Sequence, residues 1–94
     1  MESNNGKTLT GTPMDYSEDM YRVYFELNDL DGVAKELILN YLGDKHVESL
    51  IEKEYGYEVA IPIQAVPDIA RELAKMNFAI YQIVRGAKTD GVWQ

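Results

Sequence analysis

The sequence predicts an α+β domain with one antiparallel sheet of four strands and two helices packed on one face. Three observations lead to this fold class. Within residues 20–42, an alternating apolar pattern changes into a helical pattern across a short acidic loop. Residues 46–63 have the β-branched and aromatic composition of a hairpin with glycine in its turn. A second helix and a last strand follow the hairpin and end at residue 85. This order of elements predicts the split βαβ arrangement.

The first strand is predicted in residues 20–27, where side chains alternate with a period of two. One face carries four apolar side chains that we expect in the core: Tyr21, Val23, Phe25 and Leu27. The other face should look away from the helices and carries a mixed set: Met20, Arg22, Tyr24 and Glu26. The alternation therefore predicts one buried and one uncovered face.

The other elements follow in order along the chain. Apolar residues at steps of three and four predict a helix from Leu30 to Leu42, which Gly43 ends. The hairpin turns at Tyr55-Gly56, and Pro67 lies in the first turn of the second helix. A last strand is predicted in residues 78–85. Together these elements form a ferredoxin-like βαββαβ fold, with a four-stranded antiparallel sheet and two helices on one face.

The acidic loop before the first helix is explained by helix capping. Asn28, Asp29 and Asp31 are all good N-terminal caps, and early carboxylates favour the positive end of the helix dipole. A calcium-binding loop would need carboxylates where Leu27 and Ile38 stand. The spacing therefore argues against an EF-hand type of metal site.

The chain is predicted to hold a single domain in residues 20–85. Residues 1–19 are rich in Asn, Gly, Thr and Ser without periodicity, and we expect a disordered acidic leader. Residues 86–94 are expected to form a flexible tail that ends near Trp93. The fold prediction thus rests on the central two thirds of the chain.

Composition limits the classes of function. The 94 residues are 46% hydrophobic, carry a net charge of −7 and include no cysteine. No apolar run approaches the ~20 residues that span a bilayer, and no signal peptide is apparent, so we expect a cytoplasmic protein without membrane contact. The nine basic residues are scattered singly among acids, which disfavours nucleic acid as a partner.

The uncovered sheet face predicts self-association. Tyr24 and Ala60 should lie there, together with one of two apolar sets from the last strand. These sets are Phe78, Ile80 and Val84, or Ala79, Tyr81 and Ile83. Either set leaves apolar groups exposed, and such a patch most often contacts a second copy of the same chain. We therefore expect a homo-oligomer, most simply a homodimer.

No set of residues amounts to a catalytic signature. His46 is the only histidine, so a histidine pair cannot bind a metal, and the chain contains neither a P-loop nor a GxGxxG motif. Carboxylates recur in the hairpin without a context that selects two of them for acid–base chemistry. We expect a non-catalytic protein with no cofactor and no metal.

The first loop resembles the strand-to-helix turn of ACT and ACT-like regulatory domains. Asp29 and Gly32 match the Asp and Gly of the usual D-x-P-G pattern, and Asp31 replaces the Pro. Residues 65–78 are similar to the second helix and the start of the last strand in that family, and the likeness covers residues 20–85. The resemblance implies a ferredoxin-like fold, dimerisation through helices or sheet edges, and amino-acid binding beside the glycine turn.

Three functions are consistent with these observations. The leading hypothesis is a binding or regulatory domain that self-associates and senses an amino acid or similar small ligand, with Asp29, Gly32 and Tyr24 as contacts. The second is an acidic inhibitor or adaptor that offers hairpin carboxylates to a basic protein. Its contact residues would be Glu48, Glu52, Glu54 and Glu58. The third is a small metal-dependent nuclease with Asp29 as its acid.

Overall fold

The computed structural model of the protein describes residues 9–93. The strands in this range are β1 (Asp19–Leu27), β2 (Ile51–Lys53), β3 (Gly56–Ile61) and β4 (Ile80–Val92). The helices are α1 (Val33–Leu42) and α2 (Ala65–Lys75), and a short 3-10 turn at Val47–Ser49 precedes β2. The strands form one antiparallel sheet in the order β2-β3-β1-β4. The predicted α+β, ferredoxin-like arrangement is confirmed.

The core lies between the sheet and the two helices. Strand β1 is central, and its four alternating apolar residues are all buried, as the sequence predicted. The helices and β3 add further side chains to the same cluster: Ala34, Ile38, Leu42, Val59, Ile61, Ile69 and Leu73. Full burial stabilises each large apolar side chain by roughly 1.5 to 3 kcal/mol relative to exposure. The hydrophobic face of β1 therefore determines which side of the sheet the helices cover.

The first helix begins later than the sequence predicted. It starts at Val33, and Leu30 lies in the loop with 88% of its surface exposed. The reason is Gly32, whose left-handed backbone (φ +77°) turns the chain immediately before the helix. The predicted end is confirmed, because the N–H of Gly43 donates to the carbonyl of Leu39 at 3.1 Å.

The hairpin is confirmed, but its first strand is shorter than expected. Residues 47–49 form the 3-10 turn, and the strand proper is only the three residues of β2. The chain tightens here because the N–H of Leu50 donates to the carbonyl of Val47 at 3.2 Å. The turn needs Gly56, since a Cβ at this position would lie 2.0 Å from the carbonyl oxygen of Phe25.

The last strand differs most from its prediction. It spans 13 residues and continues to Val92, so residues 86–92 pair with the first half of β1 instead of forming a flexible tail. Register shifts along the β1–β4 ladder absorb the extra residues of β4. Beyond the strand, the N–H of Trp93 donates to the carbonyl of Glu18 at 2.9 Å. Gln94 lies outside the described residues.

The shifts in register also determine which β4 side chains lie on the open sheet face, for which the sequence left two alternative sets. Val84 lies opposite Tyr24 and faces away from the helices, whereas Ile83 lies opposite Phe25 on the helix side. Ile80 lies opposite Leu27, also on the helix side, because the register shifts between Glu26 and Leu27. The first predicted set is therefore divided between the two faces, and the second places Ile83 on the helix side.

The segment before β1 belongs to the folded domain from residue 9 onward. The carboxylate of Asp15 is buried and accepts hydrogen bonds from the Gly11 N–H at 2.8 Å and from the Ser17 hydroxyl at 2.7 Å. The Gln64 amide at the start of α2 donates to the carbonyl of Pro13 at 2.7 Å. The predicted disordered leader does not extend over residues 9–19, and residues 1–8 lie outside the described part of the chain.

We predict that Asp15→Asn destabilises the protein in a pH-dependent way. The Gly11 and Ser17 hydrogen bonds lower the pKa of Asp15 from 3.8 to about 2. A depressed folded-state pKa stabilises the folded state by up to roughly 2 kcal/mol above about pH 4, and this stabilisation is lost as the pH falls towards 2. Urea denaturation at pH 7 should show a loss of about 1 to 2 kcal/mol, shrinking by about half near pH 3.

The control for this prediction is Glu18→Gln, which changes an exposed carboxylate three residues away. This variant should unfold at nearly the wild-type urea concentration at both pH values. An equal loss of stability for Asp15→Asn at pH 7 and pH 3 would show that its ionised hydrogen bonds are not the source of the effect.

Candidate functional site

The turn between β1 and α1 is held by the carboxylate of Asp29. Its Oδ1 accepts a hydrogen bond from the N–H of Ala34 at 3.0 Å, and Oδ2 accepts from the N–H of Lys35 at 2.9 Å. The hydroxyl of Tyr57 on β3 donates to Oδ2 at 2.7 Å. Asp29 therefore caps α1 and joins the helix to the neighbouring strand.

The pKa of Asp29 reflects these contacts. Burial alone would raise it, but the hydrogen bonds from Tyr57 and from the Ala34 and Lys35 amides outweigh burial and hold the pKa below its ordinary value. Burial and the same carboxylate raise the pKa of Tyr57. Because a carboxylate offers about four lone-pair sites, the donors present leave Asp29 little capacity to bind a ligand directly.

Of the other two predicted ligand contacts, Gly32 lies in the same turn as this carboxylate and Tyr24 lies on the sheet. Gly32 precedes α1, and a Cβ there would meet nothing within 4 Å, so its role is the left-handed backbone conformation rather than close packing. Tyr24 lies on the open face of the sheet beside Glu26, and burial followed by that carboxylate raises its pKa. The structure therefore brings Asp29 and Gly32 into one turn but does not bring Tyr24 to them.

A cleft of about 580 Å³ opens at the same end of the sheet. It is bounded by the end of β1, the β2–β3 turn and the start of β4. Asp29 lies in its wall together with Glu52 and Glu54, two of the acids predicted for partner binding. Glu26 is the fourth acid of the lining. The cleft thus combines members of the two predicted residue sets, one for a small ligand and one for a protein partner.

The charge of the cleft is strongly unbalanced. Its four carboxylates stand against the single ammonium group of Lys53, and the Lys53 Nζ is 3.3 Å from Oε1 of Glu58. The exposed Glu52 contacts the ammonium group of Lys35 on the helix side. Asp29 is occupied by its own hydrogen bonds, which leaves Glu26 and Glu54 as the acids best able to meet a ligand.

Three tyrosines complete the chemistry of the cleft. Tyr57 is buried and bonded to Asp29, whereas Tyr55 and Tyr81 are 62% and 69% exposed. A cation can lie against the face of either exposed ring, and the hydroxyl groups add hydrogen-bond acceptors. The site therefore offers mainly acceptors and aromatic faces, which suits a ligand that donates hydrogen bonds and carries positive charge.

The remaining predicted acids lie outside the cleft. Glu48 is exposed in the 3-10 turn. Glu58 lies on the open sheet face, where its Oε2 is 2.8 Å from Nε of Arg22 and its other oxygen meets Lys53. The Arg22 hydrogen bond, opposed by partial burial and aided by Lys53, holds the pKa of Glu58 below its ordinary value. The four hairpin acids therefore do not form one binding surface.

Sequence reasoning did not place Glu26, Tyr55 or Tyr81 in a common site. The strand order could have revealed this site. In an antiparallel sheet with β4 next to β1, the start of β4 lies beside the end of β1. The ladder pairs Glu26 with Gln82, the neighbour of Tyr81. The order strand, helix, strand, strand, helix, strand already implied this adjacency.

His46 is engaged within the domain. Its ring stacks on Trp93 with the centroids 4.3 Å apart, and its Nε2 is 2.5 Å from the carbonyl oxygen of Trp93. Among residues 9–93, no group of three or more His, Asp or Glu side chains is arranged to hold a metal ion. Neither of the helices in the described range is long and apolar enough to cross a membrane.

Comparisons of the chain with protein-family models, with curated proteins and with solved structures gave no match. The fold and the cleft therefore define the protein by class alone, as a small α+β domain of ferredoxin-like topology with an acidic, tyrosine-lined cleft at one end of its sheet.

We predict that Asp29→Ala costs about 1 to 3 kcal/mol of stability, because it removes the helix cap and leaves the Tyr57 hydroxyl without its acceptor. Asp31→Ala, an exposed acid of the same turn, is the matched control and should cost less than about 0.5 kcal/mol. Chemical denaturation measures both changes.

A double-mutant cycle with Tyr57→Phe separates the two roles of Asp29. The contact should give a coupling energy of roughly 0.5 to 3 kcal/mol between the two positions. If the losses of stability from the two substitutions simply added, the Asp29–Tyr57 hydrogen bond would not be what joins α1 to β3. This would hold even if Asp29→Ala alone were destabilising.

Proposed function

We propose that the protein is a non-catalytic binding domain whose cleft takes a primary ammonium or guanidinium group. The observation that supports this function is the cleft itself, in which four carboxylates and three tyrosines meet one ammonium group. That ammonium group is directed towards Glu58, outside the cleft. A cationic ligand would replace the counter-charge that the lining lacks.

The contacts of such a ligand follow from which side chains of the cleft are exposed. Its N–H groups would donate to Glu26 and Glu54, and its charge would lie against the ring of Tyr55 or Tyr81. Two charge-assisted hydrogen bonds of about 1.5 to 3 kcal/mol each and one exposed cation–π contact of about 0.5 to 1 kcal/mol give an upper bound of roughly 7 kcal/mol. This bound corresponds to a dissociation constant of roughly 10 µM at best, with a weaker value expected.

The cleft narrows the small-ligand hypothesis to basic compounds. A neutral amino acid would bring its own carboxylate towards an acidic wall, and repulsion would offset the contact of its ammonium group. Arginine, lysine or a diamine has an ammonium or guanidinium group at the end of an aliphatic stem and can insert that end alone. In this proposal Asp29 shapes the wall of the cleft and Gly32 shapes the turn behind it.

The same chemistry describes the second hypothesis, a basic protein partner. A lysine or arginine side chain of a protein presents the same cationic end as the free amino acid. Glu52 and Glu54 of the predicted partner set line the cleft at β2 and the β2–β3 turn, and Glu54 is exposed. A peptide and a free ligand would therefore make the same contacts with the cleft.

Binding should depend on ligand charge and on the two acids that the proposal assigns to the ligand. We expect arginine to bind in calorimetry or NMR titrations and citrulline, its neutral isostere, to bind at least several-fold more weakly. Glu26→Gln and Glu54→Gln should each weaken arginine binding by about 5-fold or more, since each removes about 1 kcal/mol or more of charged hydrogen bonding. Glu48→Gln, outside the cleft, is the control and should bind like the wild type.

A blocked peptide with one central arginine tests the source of the cation. Binding of the peptide alone would favour the partner hypothesis, and binding of the free amino acid or of a diamine such as cadaverine would favour a small ligand. Equal affinity for arginine and citrulline, or equal effects of Glu48→Gln and Glu54→Gln, would contradict the proposed site.

A further inference from the structure

The outer edge of β4 is uncovered along the sheet. Among residues 9–93, β4 pairs with β1 on one side only, and within its 13 residues only Ile80 and Thr89 are partly covered. The opposite edge, β2, is three residues long and includes Glu52 and Lys53. Proteins usually protect edge strands by shortness, charge or proline. β2 has two of these protections, whereas the first half of β4 has none.

The first half of β4 is apolar on both of its faces. Residues 80–84 contain no charge and no proline, and Tyr81, Ile83 and Val84 are 69%, 38% and 43% exposed. Ile83 is on the helix side and Val84 is on the open side. A partner stacked on one face would cover only one of these two residues. A strand added beside β4 would flank both and would also satisfy its free backbone N–H and C=O groups.

Stacking through the centre of the open face is unfavourable. Met20 and Ala60 are already 92% and 95% buried there, since their exposures are 8% and 5%. The middle of the face carries the ion pairs of Glu58 with Arg22 and Lys53. Removing these ion pairs from water would cost several kcal/mol per ion, and the attraction within each pair offsets only part of this loss. The apolar edge at β4 is therefore a more favourable surface for association than the centre of the open face.

The charges of the chain favour a second copy at this edge. The whole chain carries −7, so two copies repel over most of their surfaces. β4 differs, because Arg85 and Lys88 outnumber Asp90 and give the strand a charge of +1. Two β4 strands can therefore approach each other where the acidic repulsion is smallest. Antiparallel pairing about a two-fold axis would use the same groups from both copies.

We propose that two copies of the chain associate through antiparallel pairing of their β4 strands, which joins the two sheets into one sheet of eight strands. This interface does not depend on the ligand proposed for the cleft. Tyr81 borders both regions, so the tests below use Ile83 and Val84 and contain no cleft ligand.

Sedimentation of the full chain over a series of protein concentrations tests the association. The wild type should pass from monomer to dimer, and Ile83→Lys combined with Val84→Lys should shift the midpoint to at least 10-fold higher concentration. Leu30→Lys is the control, because it places a lysine at an apolar residue that is 88% exposed and lies outside β4, in the loop between β1 and α1. It should dimerise like the wild type.

Amide hydrogen exchange gives a second test on the wild type alone, so its result does not depend on whether a variant folds. Amides on the outer edge of β4 should exchange more slowly at high protein concentration, whereas those of β2 should not change. A wild type that stays monomeric throughout the series would overturn the proposal. A dimer whose β4 amides exchange at the monomer rate, or one that Ile83→Lys and Val84→Lys leave intact, would also overturn it.

Discussion

The half-buried carboxylate of Asp29 is the constraint on which this end of the molecule depends. It lies in the turn after β1, caps α1 through the Ala34 and Lys35 amides and contacts β3 through Tyr57. An ionised group in this position is stable only because its donors replace the water that it has lost. The turn, the helix start and the wall of the cleft therefore form one unit.

This constraint also divides the acids of the chain by role. Asp29 and Asp15 are satisfied by hydrogen bonds within the domain, and Glu58 is satisfied by the ion pairs of the open face. Glu26 and Glu54 lie at the cleft, where we propose that a cation binds. Part of the negative charge is thus structural, and part of it lies in the lining of the cleft. The most basic strand, β4, lies at the sheet edge where we propose that a second copy pairs.

The sequence predicted the parts of the fold that a local period determines. The alternation in β1 identified its buried face because one face of that strand packs against both helices. Leu30 was misplaced because the helical period continues into the loop, and only the backbone turn at Gly32 excludes it. The extension of β4 had no local signal, since residues 86–92 are polar and glycine-containing and become a strand by pairing with β1. Likewise, Glu26 and Tyr81 meet in the cleft through strand order, which periodicity does not encode.

The most direct test of the roles assigned to the acids is a carbon-13 NMR titration of the side-chain carboxyl groups, first with pH and then with arginine. We predict that Asp29 titrates below its ordinary range and that its signal stays fixed on arginine addition, while the Glu26 and Glu54 signals move. An Asp29 carboxyl that titrates normally and shifts with arginine would contradict this assignment. It would make the turn itself the ligand site.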